Sequence, residues 1–160
     1  MNDRRTWPQR GAALALLLIA SVAADARVCG VWTSTTAFGS YPPMTPSPID
    51  TTGTVSVLCL GRRLPGQGNA YVVRIDGGNS GDPANRFMLN GTGQLSYNLY
   101  KNAGRNNIWG DGTSGTTPLS RNIGNRRFFF RNHTVYGRVF PSQDPPAGQY
   151  LDIVTVTIEF

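Results

Sequence analysis

Two cysteines, one histidine and a mixed run of arginines and phenylalanines are the side chains of this 160-residue sequence with most chemistry to offer. Cys29 and Cys59 form no C-x-x-C motif and have no histidine beside them, so their spacing does not support a zinc site. The histidine, His133, sits near a strand start between polar neighbours and reads as exposed. Asp111 in "WGDGT" and Asp144 in "SQDPP" lie in turn contexts, where an aspartate ordinarily bonds its own backbone. General acid–base work needs two acids in one pocket, and nothing in the sequence pairs the scattered carboxylates. The G-x-G pairs in "GQGNA" and "GTGQL" precede strands rather than helices and lack the geometry of a phosphate cradle. Two glycosylation sequons, at Asn90 and Asn132, are short enough to arise by chance. The sequence therefore points away from an enzyme and implies no cofactor or metal.

The run that remains is "RNIGNRRFFFRNH", residues 121–133. Arg126, Arg127 and Arg131 bracket Phe128, Phe129 and Phe130. Successive side chains on a strand alternate faces, so three neighbouring rings cannot share one core. Either Phe129 or the pair Phe128 and Phe130 must point outward. One reading is an adhesive or partner-binding surface, where arginine and aromatic residues are enriched. A second is single-stranded nucleic acid, which stacks on aromatics beside arginines. The blandest is an inner strand with a solvated basic edge.

Export decides the setting. Arg4, Arg5 and Arg10 precede an apolar run from Gly11 to Ala24, and Ala24-Asp25-Ala26 is an A-x-A cleavage site. Residues 1–26 are expected to be a secretion signal, leaving a domain over 27–160. The apolar run is shorter than a membrane-spanning helix requires, so no span is expected once the signal is removed. Removal takes three arginines and two aspartates from the fifteen cations and nine anions, leaving a net charge of +5. A basic surface favours anionic partners, and export argues against nucleic acid among them. An even cysteine count in an exported chain reads as one disulfide, Cys29–Cys59, with two buried free thiols as the alternative. Closing that loop would stabilise the fold by about 3.5 kcal/mol through the unfolded chain's entropy.

The elements that must position these groups are strands. "GTVSVLCL" puts Val55, Val57 and Cys59 on one face. "AYVVRI" does the same for Tyr71, Val73 and Ile75, and "LSYNLY" for Leu95, Tyr97 and Leu99. "TVYGRVF" aligns Val135 with Val139, and "DIVTVTIEF" aligns Val154, Val156, Ile158 and Phe160. Period-2 alternation marks strands buried on one side. Clusters rich in Gly, Asn, Asp and Pro separate them, and no amphipathic helix is present. Many short strands without helices predict an all-β sandwich or barrel of one domain.

Taken in order, "FGSY", "GTVSVLC", "LSYNLY", "WGDGT", "VYGRV" and "AGQYLDIVTVTIEF" resemble the spore coat protein U domain family, the subunits of archaic chaperone–usher pili. The resemblance covers nearly all of residues 27–160. It implies an incomplete immunoglobulin-like β-sandwich lacking its last strand. A periplasmic chaperone lends a strand first, and a neighbouring subunit's N-terminal extension then replaces it, while an outer-membrane usher handles export to the cell surface. The groove implied for these strands borders Val154, Val156, Ile158 and Phe160, whose apolar side chains need a partner at an open edge. Shaft subunits carry a donor segment before the first cysteine, whereas only Arg27 and Val28 precede Cys29 here. The expectation is a subunit that accepts a strand without giving one, at or near the tip of a fibre used for attachment and biofilm formation. A standalone surface protein of the same fold, outside any pilus, is the alternative.

Overall fold

A computed structural model describes residues 27–62 and 68–160, and the expected signal over 1–26 lies outside them. Eight strands follow one another: β1 (Val28–Thr33), β2 (Ile49–Leu60), β3 (Ala70–Ile75), β4 (Phe87–Asn90), β5 (Gly93–Tyr100), β6 (Leu119–Asn122), β7 (Phe128–Val139) and β8 (Val156–Glu159). A single 3-10 turn, Gly78–Ser80, is the one helical piece among the described residues. None of their helices is long and apolar enough to cross a membrane.

The strands form two antiparallel sheets, one ordered β1-β2-β7-β5-β4 and the other β6-β3-β8. They pack as an immunoglobulin-like sandwich, incomplete at the free edge of β8. The inward positions are the alternating residues of the sequence: Val55, Val57 and Cys59 on β2, Tyr71, Val73 and Ile75 on β3, and Leu95, Tyr97 and Leu99 on β5. Val135 and Val139 of β7 join them, with Trp109 buried from the long connection after β5. The Trp109 indole donates to the carbonyl of Val73 at 2.9 Å, so its one polar atom is satisfied inside the core.

The last strand is shorter than its sequence suggests. The alternation begins at Asp152, yet pairing with β3 begins only at Val156, opposite Ile75. The preceding residues change sheets. Leu151 exchanges backbone hydrogen bonds with Leu89 at the β4 edge, at 2.9 and 3.0 Å. Four residues later Thr155 is bonded to Asp76 beyond the end of β3. A segment crossing between sheets cannot keep one continuous ladder.

A buried arginine fixes that crossing. Arg86 is 1% exposed and donates to the carbonyls of Asp76, Ile75, Trp109 and Pro83, and to Oδ1 of Asn98 at 2.7 Å. Five acceptors around one guanidinium replace the water it gives up. Burial still lowers the pKa of the group from its ordinary value.

Candidate functional site

The two sheets do not close on each other along one side. The first wall of the opening is the segment that continues β1. Ser34 donates to the carbonyl of Thr54 at 2.9 Å, and Thr51 Oγ1 donates to the carbonyl of Ala37 at 2.8 Å. Phe38 then turns inward and meets Tyr97 edge to face, with ring centroids 5.6 Å apart. It can do so because residue 137 is glycine: a Cβ there would lie 2.8 Å from Cζ of Phe38.

The second wall is the crossing segment and the start of β8. Tyr150 is anchored by its hydroxyl on the carbonyl of Pro146, at 2.7 Å. Asp152 accepts from the hydroxyl of Tyr97 at 2.7 Å and from the backbone N–H of Asn79 at 2.8 Å. Burial first, and this carboxylate second, hold the Tyr97 hydroxyl well above its ordinary pKa, so it stays a donor. Thr155 donates its backbone N–H to Oδ1 of Asp76 at 2.8 Å, which aims the chain into β8.

Between the walls lies a cavity of about 390 Å³ whose lining includes core side chains of both sheets: Val55, Ile75, Met88, Tyr97, Leu99 and Val135. A second opening of about 710 Å³ adjoins it, between residues 35–41 and 145–151. The two share Thr36, Phe38, Met88, Tyr150 and Leu151, so they form one seam. β8 is hydrogen-bonded to β3 on one side, and β1 to β2 on one side; among the described residues no strand pairs with the other edge of either. The seam opens where those two edges end, at Thr33 and Val156, and an apolar slot there offers what an extended peptide needs: main-chain partners and pockets for alternate side chains.

The four residues expected along this groove do not share one environment. Val154 and Val156 are half-buried and line the cavity. Ile158 is half-buried against the core farther along β8, beyond both openings. Phe160 lies past the end of β8 and is 40% exposed. The opposite wall, Thr33 to Phe38, carries no alternation that would have marked it. Its one sequence signal is the aromatic in "FGSY".

Elsewhere, Cys29 and Cys59 face each other across the β1–β2 ladder and are joined by a disulfide. Of the three phenylalanines, Phe129 is buried and stacks on Tyr71 at 5.2 Å, while Phe128 and Phe130 point outward. Arg126, Arg127 and Arg131 are exposed. The reading of His133 as exposed is overturned: it is 8% exposed, on the same face of β7 as Val135, with Nε2 2.6 Å from the Tyr71 hydroxyl. Its polar neighbours Asn132 and Thr134 occupy the outer face, and alternation turns the imidazole in. Asp111 keeps the turn role expected of it, accepting from the N–H of Thr113 at 2.8 Å. Among the described residues no three His, Cys, Asp or Glu side chains come together as metal ligands would.

The sequence profile of the Spore Coat Protein U domain matches residues 13–157. This chain belongs to the Spore Coat Protein U domain family. No curated protein matches it. Among solved structures, this Spore Coat Protein U domain is similar to a chain of the CsuC-CsuE chaperone-tip adhesion subunit pre-assembly complex from the archaic chaperone-usher Csu pili of Acinetobacter baumannii. The identity is 22% and the TM-score 0.53, over 84% of this chain and 40% of the other. The domain thus spans less than half the length of the chain it matches, and the likeness is one of fold.

Proposed function

We propose that this Spore Coat Protein U domain, carried by residues 27–160 once an export signal over 1–26 is removed, is a strand-accepting subunit of a chaperone–usher pilus. The observation that carries the proposal is the seam between residues 33–41 and 145–156, which leaves core side chains reachable beside the unpaired edges of β1 and β8. A periplasmic chaperone fills the seam first, a strand from a neighbouring subunit replaces it, and an outer-membrane usher passes the product to the cell surface. Val154 and Val156 form the floor contacts, with Ile158 and Phe160 extending them. The domain stands at or near the tip and serves attachment and biofilm formation, through the surface around Arg126, Arg127, Phe128, Phe130 and Arg131. Family membership supports the pilus reading, and the unpaired outer face around Phe128 and Phe130 supports an attachment role. No catalytic step is part of the reading.

The test is expression of the exported chain with and without a cognate chaperone of archaic chaperone–usher pili. Alone, the chain should aggregate or be degraded, since an unpaired apolar edge templates association. With the chaperone it should accumulate as a stoichiometric complex. A stable, soluble monomer obtained without any chaperone would point instead to a standalone surface protein. Immunogold labelling along the middle of purified fibres would remove the tip assignment.

A further inference from the structure

The outer face of the larger sheet is apolar where a solvated sheet is ordinarily polar. Register sets its outward side chains in rows across β1, β2 and β7: Val28, Leu60 and Phe128, then Gly30, Leu58 and Phe130, then Trp32, Ser56 and Asn132. Val28, Leu60, Phe128, Phe130 and Trp32 are each between 50% and 67% exposed. The Trp32 indole lies back over Gly30, where a Cβ would stand 3.0 Å from its ring. These side chains form one platform rather than scattered apolar residues.

Around the platform the charge has one sign. Arg62 follows β2, and Arg126 and Arg127 lead into β7, beside the platform; Arg121 and Arg131 sit at the same end but in the inward register of β6 and β7, opposite Tyr71 and Val57, and all five are exposed. Among the described residues none of these five takes part in an ion pair. Arg126 and Arg131 also line a cavity of about 280 Å³ with Asn122 and Phe129. The acid nearest this end, Glu159, is tied to Arg74 at 2.9 Å. Asp50, Asp76, Asp144 and Asp152 all lie at or beyond the opposite ends of β2, β3, β7 and β8.

An apolar platform alone suits any apolar partner, and unpaired arginines alone suit any polyanion. Together they match a surface that lays anionic headgroups over hydrocarbon, where aromatic rings settle at the boundary and arginines meet phosphates. We propose that this end of the domain docks on an anionic lipid bilayer, with Phe128, Phe130, Leu60 and Trp32 entering the interface and Arg62, Arg126 and Arg127 contacting headgroups. The inference deepens the attachment part of the proposed function and is independent of strand capture.

The experiment measures cosedimentation of the soluble exported protein, with its chaperone where that is needed for solubility. The probes are phosphatidylcholine vesicles with and without phosphatidylglycerol. Binding should require phosphatidylglycerol and weaken as salt rises. The double variant F128S/F130S, outward at both positions, should keep its fold and bind about tenfold or more weakly. R126Q/R127Q should lose about 25-fold, at about fivefold for each arginine, and show a flatter salt dependence. Filling the seam with a donor peptide should leave vesicle binding unchanged, which separates this result from the fate of the groove reading. Equal binding to neutral vesicles overturns the proposal. So does undiminished vesicle binding by F128S/F130S, which would mark a polyanion site that dextran sulfate occupies equally well. Loss of vesicle binding on addition of the donor peptide, or self-association of the wild type that F128S/F130S abolishes, also overturns it.

Discussion

The hydroxyl of Tyr71 stands 2.6 Å from Nε2 of His133, inside a core that the sequence alone made look fully apolar at this level. The pair is packed between Phe129, stacked on Tyr71, and Trp109, set edge-on to the imidazole. The two groups share a hydrogen bond whose donor is set by the imidazole tautomer. Burial first, then the nearby Arg121 and Arg131, push the His133 pKa below its ordinary value. The unfolded chain then binds a proton that the folded one refuses. Stability on this account is full above about pH 6.5 and falls as the pH drops below it toward the folded pKa. Urea midpoints of the chaperone-free, peptide-filled domain between pH 8 and 5 should show the fall. H133N should flatten it, and an unchanged slope in that variant would assign the fall to other groups.

Arg86 is expected to be the least replaceable polar residue. R86M removes the donors of five acceptors in one step, and each buried acceptor left unpaired costs about 1 to 3 kcal/mol. The variant should fail to accumulate. R86K keeps the charge but not the planar fork, and should accumulate at reduced yield with a lower urea midpoint. Because Arg86 holds the Asp76 carbonyl whose side chain positions Thr155, both variants should also weaken strand capture.

How much of this was legible follows from what each residue depends on. The inward sets on β2, β3 and β5 follow from alternation alone, because a strand buried on one side leaves a two-residue period. The same rule would have placed His133 inside, at even spacing from Val135 and Val139, had its polar neighbours been given less weight. β4 and β6 are four residues each, too short for a period to register. Arg86 has no local signal, since its acceptors come from residues 75, 76, 83, 98 and 109. The first wall of the seam was equally hidden, because Thr33 to Phe38 owe their place to tertiary contacts with Gly137 and Tyr97.

For the seam itself, Val156→Asp sets a charge among apolar linings and should lower affinity for a donor peptide at least about tenfold. Thr157, exposed on β8 and outside both openings, is the control, and Thr157→Ala should leave affinity within about twofold. Fluorescence anisotropy with a labelled donor peptide would decide it. Equal effects from both changes would move the binding surface away from Val154 and Val156.

The phenylalanine triplet gives an internal contrast. Phe129→Ala removes a buried ring stacked on Tyr71 and should cost about 3 to 5 kcal/mol, seen as lost accumulation. Phe128→Ser and Phe130→Ser should leave the urea midpoint within about 0.5 kcal/mol of the wild type. A large loss from either outer ring would show that something covers that face.

Replacing both cysteines with alanine should lower stability by about 3.5 kcal/mol, and non-reducing mass spectrometry of the exported protein should find two hydrogens fewer than the dithiol.

That cross-link has a further consequence under load. A strand seated in the seam would lie between the segment that continues β1 and the segment that leads into β8, so pulling on it would pass force to both strands. β1 cannot be peeled from β2 past Cys59, because a covalent bond and not a ladder of hydrogen bonds resists there. β8 has four paired residues and no such staple. Mechanical failure should therefore begin at the β8 side, with the β1 side holding as the anchored jaw of the grip.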